Sequence, residues 1–158
     1  MIPALRLALV GGAVFLVQWL VLGNLPIAGA VPDAVLLFVA WTGLRFGRRY
    51  GLIAGFALGF LLDAAYDTWG MQMFVKSLVG FLVAFIPTTE RETLLIQPQQ
   101  AFTGGLLIAL VHNGLLVLFQ ALAAGGATLG MVTGEWLGAS LYTAVVAFVA
   151  ALAFSRRI

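Results

Sequence analysis

At 158 residues, 63% of them hydrophobic and only 9% charged, the chain lacks the polar inventory of a soluble domain, in which about a quarter of residues carry charge. A mean hydropathy of +1.10, with apolar runs near the roughly 20 residues that cross a bilayer, identifies an integral membrane protein. A net charge of +2 is too small to support nucleic-acid binding, and the absence of Cys excludes a disulfide framework, haem attachment and thiolate metal ligation.

The first apolar run covers residues 5–23 and predicts a spanning helix. Arg6, residues 7–22 and the small triplet Ala28-Gly29-Ala30 also fit a cleavable signal peptide; the charge distribution below closes best with this helix retained. A Gly/Pro-rich link, GNLPIAGAVP, follows. The second element starts at Pro32-Asp33, with Pro in the first turn and a carboxylate at the positive end of the helix dipole. It ends at Arg45. From Asp33 to Leu44 it is only about 18 Å long, so it is either short or preceded by a re-entrant segment at residues 25–31.

The third helix, residues 50–68, carries Gly51, Gly55, Gly59, Asp63 and Asp67 four residues apart. This spacing places three glycines and then two carboxylates along one slowly drifting stripe. Such glycines permit backbone-to-backbone approach of a neighbouring helix in lipid, while a carboxylate on the same stripe must face protein. A turn at Trp69-Gly70 leads to the fourth helix, residues 71–86, which Pro87 closes. The polar segment PTTERETLLIQPQQ is a loop with a short interfacial helix at residues 90–96. The fifth helix covers residues 101–124 and, after GGATLG, the sixth covers residues 131–154. Neither a second domain nor a repeat interrupts residues 1–158.

The positive-inside rule tests this count. With six spans and a cytoplasmic N-terminus, Arg6, Arg45, Arg48, Arg49, Arg91, Arg156 and Arg157 all fall on the cytoplasmic side, and only Lys76 lies within a span. Five spans would divide the arginines between both sides. The expected fold is therefore an all-α bundle of six transmembrane helices with both termini cytoplasmic.

Asp63 lies six residues before the Trp69-Gly70 turn and Lys76 six after it, which puts both at one depth in an antiparallel pair, roughly 9 Å below the outer end. Pairing reduces the cost of burying either charge, so a contact or shared network between Asp63 and Lys76 is expected. A lock between two helices is the simpler reading, and a proton or cation site the sharper one. Asp67 and Glu135 fall near the outer interface. His112 and Asn113 form the deepest polar pair; interhelical hydrogen bonding is favoured there over ligand recognition, and with no Cys, Asp or Glu in helical reach His112 makes a poor metal site. No nucleophile elbow, zinc motif or P-loop is present. A Ser140–His112 dyad is conceivable, but no oxyanion-stabilising group accompanies it. Neither enzyme activity nor a cofactor is expected.

Pro32-Asp33, then Arg45-x-Gly47, then Gly51-x-x-x-Gly55-Phe56-x-x-Gly59-Phe60-x-x-Asp63 and a Gly70 turn resemble the rod shape-determining protein MreD family. The resemblance implies a multi-pass protein of the bacterial inner membrane, without catalytic activity, in the lateral wall-synthesis complex. Its partners would be the transmembrane helix of MreC, the glycosyltransferase RodA, a class B transpeptidase and the MreB filament. It also implies a fold similar to the S components of energy-coupling-factor transporters. The match marks Pro32, Asp33, Gly51, Gly55, Gly59, Asp63 and Gly70. The leading function is a scaffold, with Gly51, Gly55 and Gly59 as its helix-packing or partner face and internal packing the likelier use of that row. The alternative is a substrate-binding subunit of a small-molecule or vitamin transporter. That alternative predicts an outward cavity lined by groups such as Asp63, Lys76, Asn113, Gln120 and Glu135.

Overall fold

The computed structural model describes residues 2–87 and 97–155, and its elements are helices. In chain order they are α1 (Ile2–Leu20), a 3-10 turn (Leu22–Asn24), α2 (Ala34–Phe46), α3 (Arg48–Tyr66) and α4 (Met71–Leu82) with a 3-10 extension (Val83–Phe85). After these come α5 (Pro98–Ala124) and a π-helical stretch (Met131–Gly138) that runs directly into α6 (Ala139–Ser155). Three segments are long and apolar enough to cross a membrane, Ala4–Asn24, Pro98–Ala124 and Met131–Ala153, while Ala34–Phe46 and Met71–Phe85 are shorter apolar helices. The interfacial helix expected at residues 90–96, with Arg91, and the terminal Arg156 and Arg157 lie outside the described residues.

Helix α2 is the axis of the molecule. At 13 residues it is about 20 Å long, too short to span a bilayer core of about 30 Å, yet it touches every other helix. One face, with Leu36, Ala40 and Leu44, packs against Val75, Val79 and Val83 beside α4 and Ala109 of α5. The other, with Val35, Phe38 and Val39, packs on Leu58 and Leu62 of α3 and on the α1 residues Leu7, Val14 and Phe15. A helix apolar on all sides is a buried helix.

Non-helical backbone at membrane depth is tolerated where protein satisfies its polar groups, and the link before α2 meets that condition. Ile27 and Ala30 exchange backbone hydrogen bonds of 2.9 Å across a tight turn. The amide of Gln18, on α1, then clamps the approach to α2: its Nε2 donates to the Pro32 carbonyl and its Oε1 accepts from the Ala34 N–H, both at 2.8 Å. Asp33 is the N-cap, accepting from the Leu36 N–H at 2.7 Å, and Pro32 sits just outside the helix. The second element is thus short, and no helical segment extends it.

A single residue, Gly47 (φ 92°), ends α2 and begins α3. The α3–α4 pair forms the most extensive interface, and the glycine stripe is the reason. A Cβ on Gly51 would overlap the Gly80 carbonyl, one on Gly55 the Lys76 carbonyl, and one on Gly59 the backbone of Met73. Gly80 reciprocates against Gly51, and a Cβ on Gly43 of α2 would also press on the Gly80 carbonyl. Three helices therefore meet backbone to backbone at Gly43, Gly51 and Gly80. Lipid tails are as apolar as the side chains, so such close dispersion contact, and not expulsion of water, holds these helices together.

Gly55→Ala is expected to destabilise the protein by at least the 1–3 kcal/mol typical of overpacking, because the obstructing atom is backbone. Gly12→Ala, where nothing lies within 4 Å of the new Cβ, should leave the melting temperature unchanged or slightly raised. Thermal unfolding of the two variants in detergent micelles checks the contrast.

Candidate functional site

A lysine without exposed surface marks the polar centre. Lys76 of α4 is fully buried, and its Nζ reaches three acceptors from three directions. These are Asp33 Oδ2 at 2.5 Å, Gln72 Oε1 at 2.7 Å and His112 Nε2 at 3.1 Å. An ammonium has three donors and no acceptor, so this set uses all of them. Asp33 serves two positive groups at once: Oδ1 caps the N-terminus of α2 and Oδ2 meets the ammonium.

From Lys76 the hydrogen bonds continue across the bundle in one direction. Because His112 Nε2 accepts from Lys76, its Nδ1 carries the proton and donates to Asn113 Oδ1 at 2.9 Å. Asn113 Nδ2 donates to Ser140 Oγ at 3.1 Å, and Ser140 Oγ donates to the Trp136 carbonyl at 2.6 Å. Thr143, one turn further along α6, accepts from the Asp33 N–H at 3.0 Å and donates to the Ala139 carbonyl. Trp136 Nε1 in turn donates to the Leu110 carbonyl of α5 at 2.9 Å. Helices α2, α4, α5 and α6 are thereby tied by one network whose buried side chains are mutually satisfied.

Of the expected contact or shared network between Asp63 and Lys76, the direct contact does not form, and the two side chains are joined through Gln72. Asp63 turns instead to the start of α4, where a helix leaves its first N–H groups unpaired. Its Oδ1 accepts from the Gln72 N–H at 3.0 Å and from Thr68 Oγ1 at 2.6 Å, and its Oδ2 accepts from the Met73 N–H at 2.9 Å. The Thr68 and Gly70 carbonyls take the Met71 and Phe74 N–H groups, so the whole first turn of α4 is satisfied. Gln72 links the two charges, through its backbone to Asp63 and through its side chain to Lys76.

The remaining polar residues divide by position. Asp67 caps α3 in a left-handed conformation and is exposed, as is Glu135. His112 and Asn113 are both buried and lie side by side in the network. Ser140 contacts Asn113 and no hydrogen bond joins it to His112, so the dyad does not form. Among the described residues no group of three His, Cys, Asp or Glu side chains is placed to hold a metal ion. Gln18, Gln72 and Thr143 join the network from outside the set of residues that motif and spacing single out. Signals for them existed: Gln18 is the one amide in its apolar run, Gln72 lies one turn before Lys76, and Thr143 lies one turn after Ser140.

Above the network a cavity of about 250 Å³ opens at the end of the bundle that carries the α3–α4 turn. Asp33, Asn113, Gln120 and Glu135 line it, with Leu62 and Leu116 among its apolar wall; Asp63 and Lys76 do not.

Replacing Lys76 by Met leaves the Asp33 carboxylate without its cation and should lower stability by about 3–5 kcal/mol, as for a broken buried pair. Adding Asp33→Asn, which keeps an oxygen for the Leu36 N–H, should recover most of that loss. Unfolding of the two single variants and the double variant in micelles measures the coupling.

The chain matches the family model of the rod shape-determining protein MreD over residues 5–154. No curated protein and no solved structure matches it. The matched stretch runs from the start of α1 to the end of α6, and so takes in both the glycine seam and the polar network. The protein belongs to the MreD family of bacterial rod shape-determining membrane proteins.

Proposed function

We propose that this protein is a non-catalytic scaffold of the lateral cell-wall elongation complex in the bacterial inner membrane. In this reading the chain crosses the membrane six times with both termini cytoplasmic, the second crossing made by the short α2 together with the link before it, and the bundle holds the transmembrane helix of MreC beside RodA, its class B transpeptidase and the MreB filament. The observation that carries it is the saturation of the buried polar network: the ammonium, imidazole, amide and hydroxyl groups donate to one another and to backbone. A general acid or nucleophile needs a proton or lone pair free for a reacting atom, and a lock does not. The short junctions at Gly47 and residues 67–70 add little outside the helices with which to act.

The glycine row is covered by α4, so a partner helix would dock elsewhere. Helix α1 is the most peripheral element, with only 11% of its apolar window buried. Its outward residues Leu9, Leu16 and Leu20 offer an apolar face to lipid or to a second helix.

Because the chain has no Cys, single cysteines report topology without background. In intact spheroplasts, Asp67→Cys and Gly126→Cys should react with a membrane-impermeant maleimide, and Gln97→Cys only after permeabilisation; the reverse pattern overturns the six-span arrangement. Purification with neighbouring proteins intact should retain MreC. Recovery of transporter ATPase subunits in its place overturns the scaffold.

A further inference from the structure

At the end of the bundle opposite the cavity, positive charge gathers at one corner. Arg45 lies in the last turn of α2, and Arg48 and Arg49 open α3, with Gly47 as the single residue between the helices. All three arginines are exposed. The ion pair among the described residues joins Lys76 to Asp33, and the described carboxylates, Asp33, Asp63, Asp67 and Glu135, lie toward the other end. Gly47 also brings no side chain to cap α3. The first bond of that helix runs from the Gly51 N–H to the Gly47 carbonyl, so the N–H groups of Arg48, Arg49 and Tyr50 have no acceptor among the described residues. Side chains and backbone at this corner therefore offer donors.

A ladder of aromatic rings stands beside these charges. Trp41, Phe46 and Tyr50 follow one another at centroid distances of 5.4 and 5.9 Å, and the Arg48 guanidinium lies over the Phe85 ring at 5.2 Å. All four rings are exposed. Trp and Tyr gather at the headgroup level of a bilayer, so the ladder sets the arginines at the membrane surface and not out in water. The positive-inside rule accounts for arginines at this end of the chain, but not for their grouping with exposed rings and an uncapped helix start.

We propose that this corner binds the phosphate of an anionic phospholipid. A guanidinium fork matches phosphate oxygens two at a time, and the unpaired N–H groups of α3 add donors at the same place. Stacking on Phe85 holds the Arg48 side chain in position before the lipid arrives. The exposed rings suit the glycerol and upper acyl chain. A soluble anion would use the donors without the rings, and a zwitterionic lipid would bring its own cation to a cationic corner. The site depends only on the chain lying in a membrane, and failure to retain MreC leaves it standing.

The test uses the full-length protein in dodecylmaltoside micelles, titrated with dioleoylphosphatidylglycerol and, as control, dioleoylphosphatidylcholine. Only the anionic lipid should raise the melting temperature saturably, as a ligand that binds the folded state does. Replacing Arg45, Arg48 and Arg49 together by Gln should weaken the apparent affinity at least roughly tenfold, since each arginine near an anionic surface contributes about fivefold. Arg6→Gln, on α1 and outside the corner, should leave the affinity unchanged. Phosphatidylglycerol with brominated chains should quench Trp41, read as the signal lost in Trp41→Phe. Should the triple variant fail to fold, Arg45→Gln and Arg49→Gln singly, whose side chains have no hydrogen bond or ion pair among the described residues, should each weaken binding about fivefold. An equal response to phosphatidylcholine, arginine variants that bind as the parent does, or an Arg6→Gln loss as large as theirs overturns the proposal. An equal shift from soluble glycerol phosphate or from a hexaglutamate peptide assigns the corner to a soluble anion and overturns the lipid.

Discussion

The ammonium of Lys76 has no contact with the surroundings of the bundle, and each of its three N–H bonds needs an acceptor inside the protein. Those acceptors come from the N-cap of α2, the first turn of α4 and the middle of α5. Meeting that demand fixes where α2 begins, because only a helix that starts at this depth can present an N-cap carboxylate to the cation. The same carboxylate neutralises the positive end of α2 itself. One charge thus resolves two electrostatic problems, and the loop, the short helix and the network beyond His112 are arranged around it.

Helix α2 is correspondingly abrupt. Its N-terminus and the link before it would be unacceptable in contact with acyl chains. The amide of Gln18 and the hydroxyl of Thr143, from opposite ends of the chain, complete the backbone hydrogen bonds there. At its other end α2 meets α3 and α4 through Gly43, Gly51 and Gly80. The bundle is held by dispersion between backbones at one end and by charge and hydrogen bonds at the other. Neither mechanism requires the hydrophobic effect, which is unavailable between helices in lipid.

For a member of a shape-determining family, this construction ties four helices together through polar groups buried between them. Its chemistry is concentrated in contacts among its own helices. The exception lies beside the cavity at one end, where the Gln120 side-chain oxygen is buried without a hydrogen-bond partner among the described residues.

Much of this was legible in the residues alone. Apolar runs and their Gly/Pro breaks located the helices to within a few residues, and four-residue glycine spacing marked α3 as a close-packing surface, since helical periodicity and Gly geometry are local properties. The π-helical start of the last span was not legible, because no local signal separates it from an α-helix. Depth arithmetic along the α3–α4 hairpin placed Asp63 and Lys76 at the same level but could not say which way each side chain leaves its helix. The main chain at Lys76 faces Gly55 of α3, while its side chain departs toward α2 and α5. Asp63 is drawn to the unpaired N–H groups that open α4. The sequence by itself determined a membrane bundle, its helices, its glycine seam and the need to pair Lys76. Only the tertiary structure decided that Asp33, 43 residues away along the chain, is the partner, because which carboxylate meets a buried cation depends on how helices distant in sequence rotate against one another.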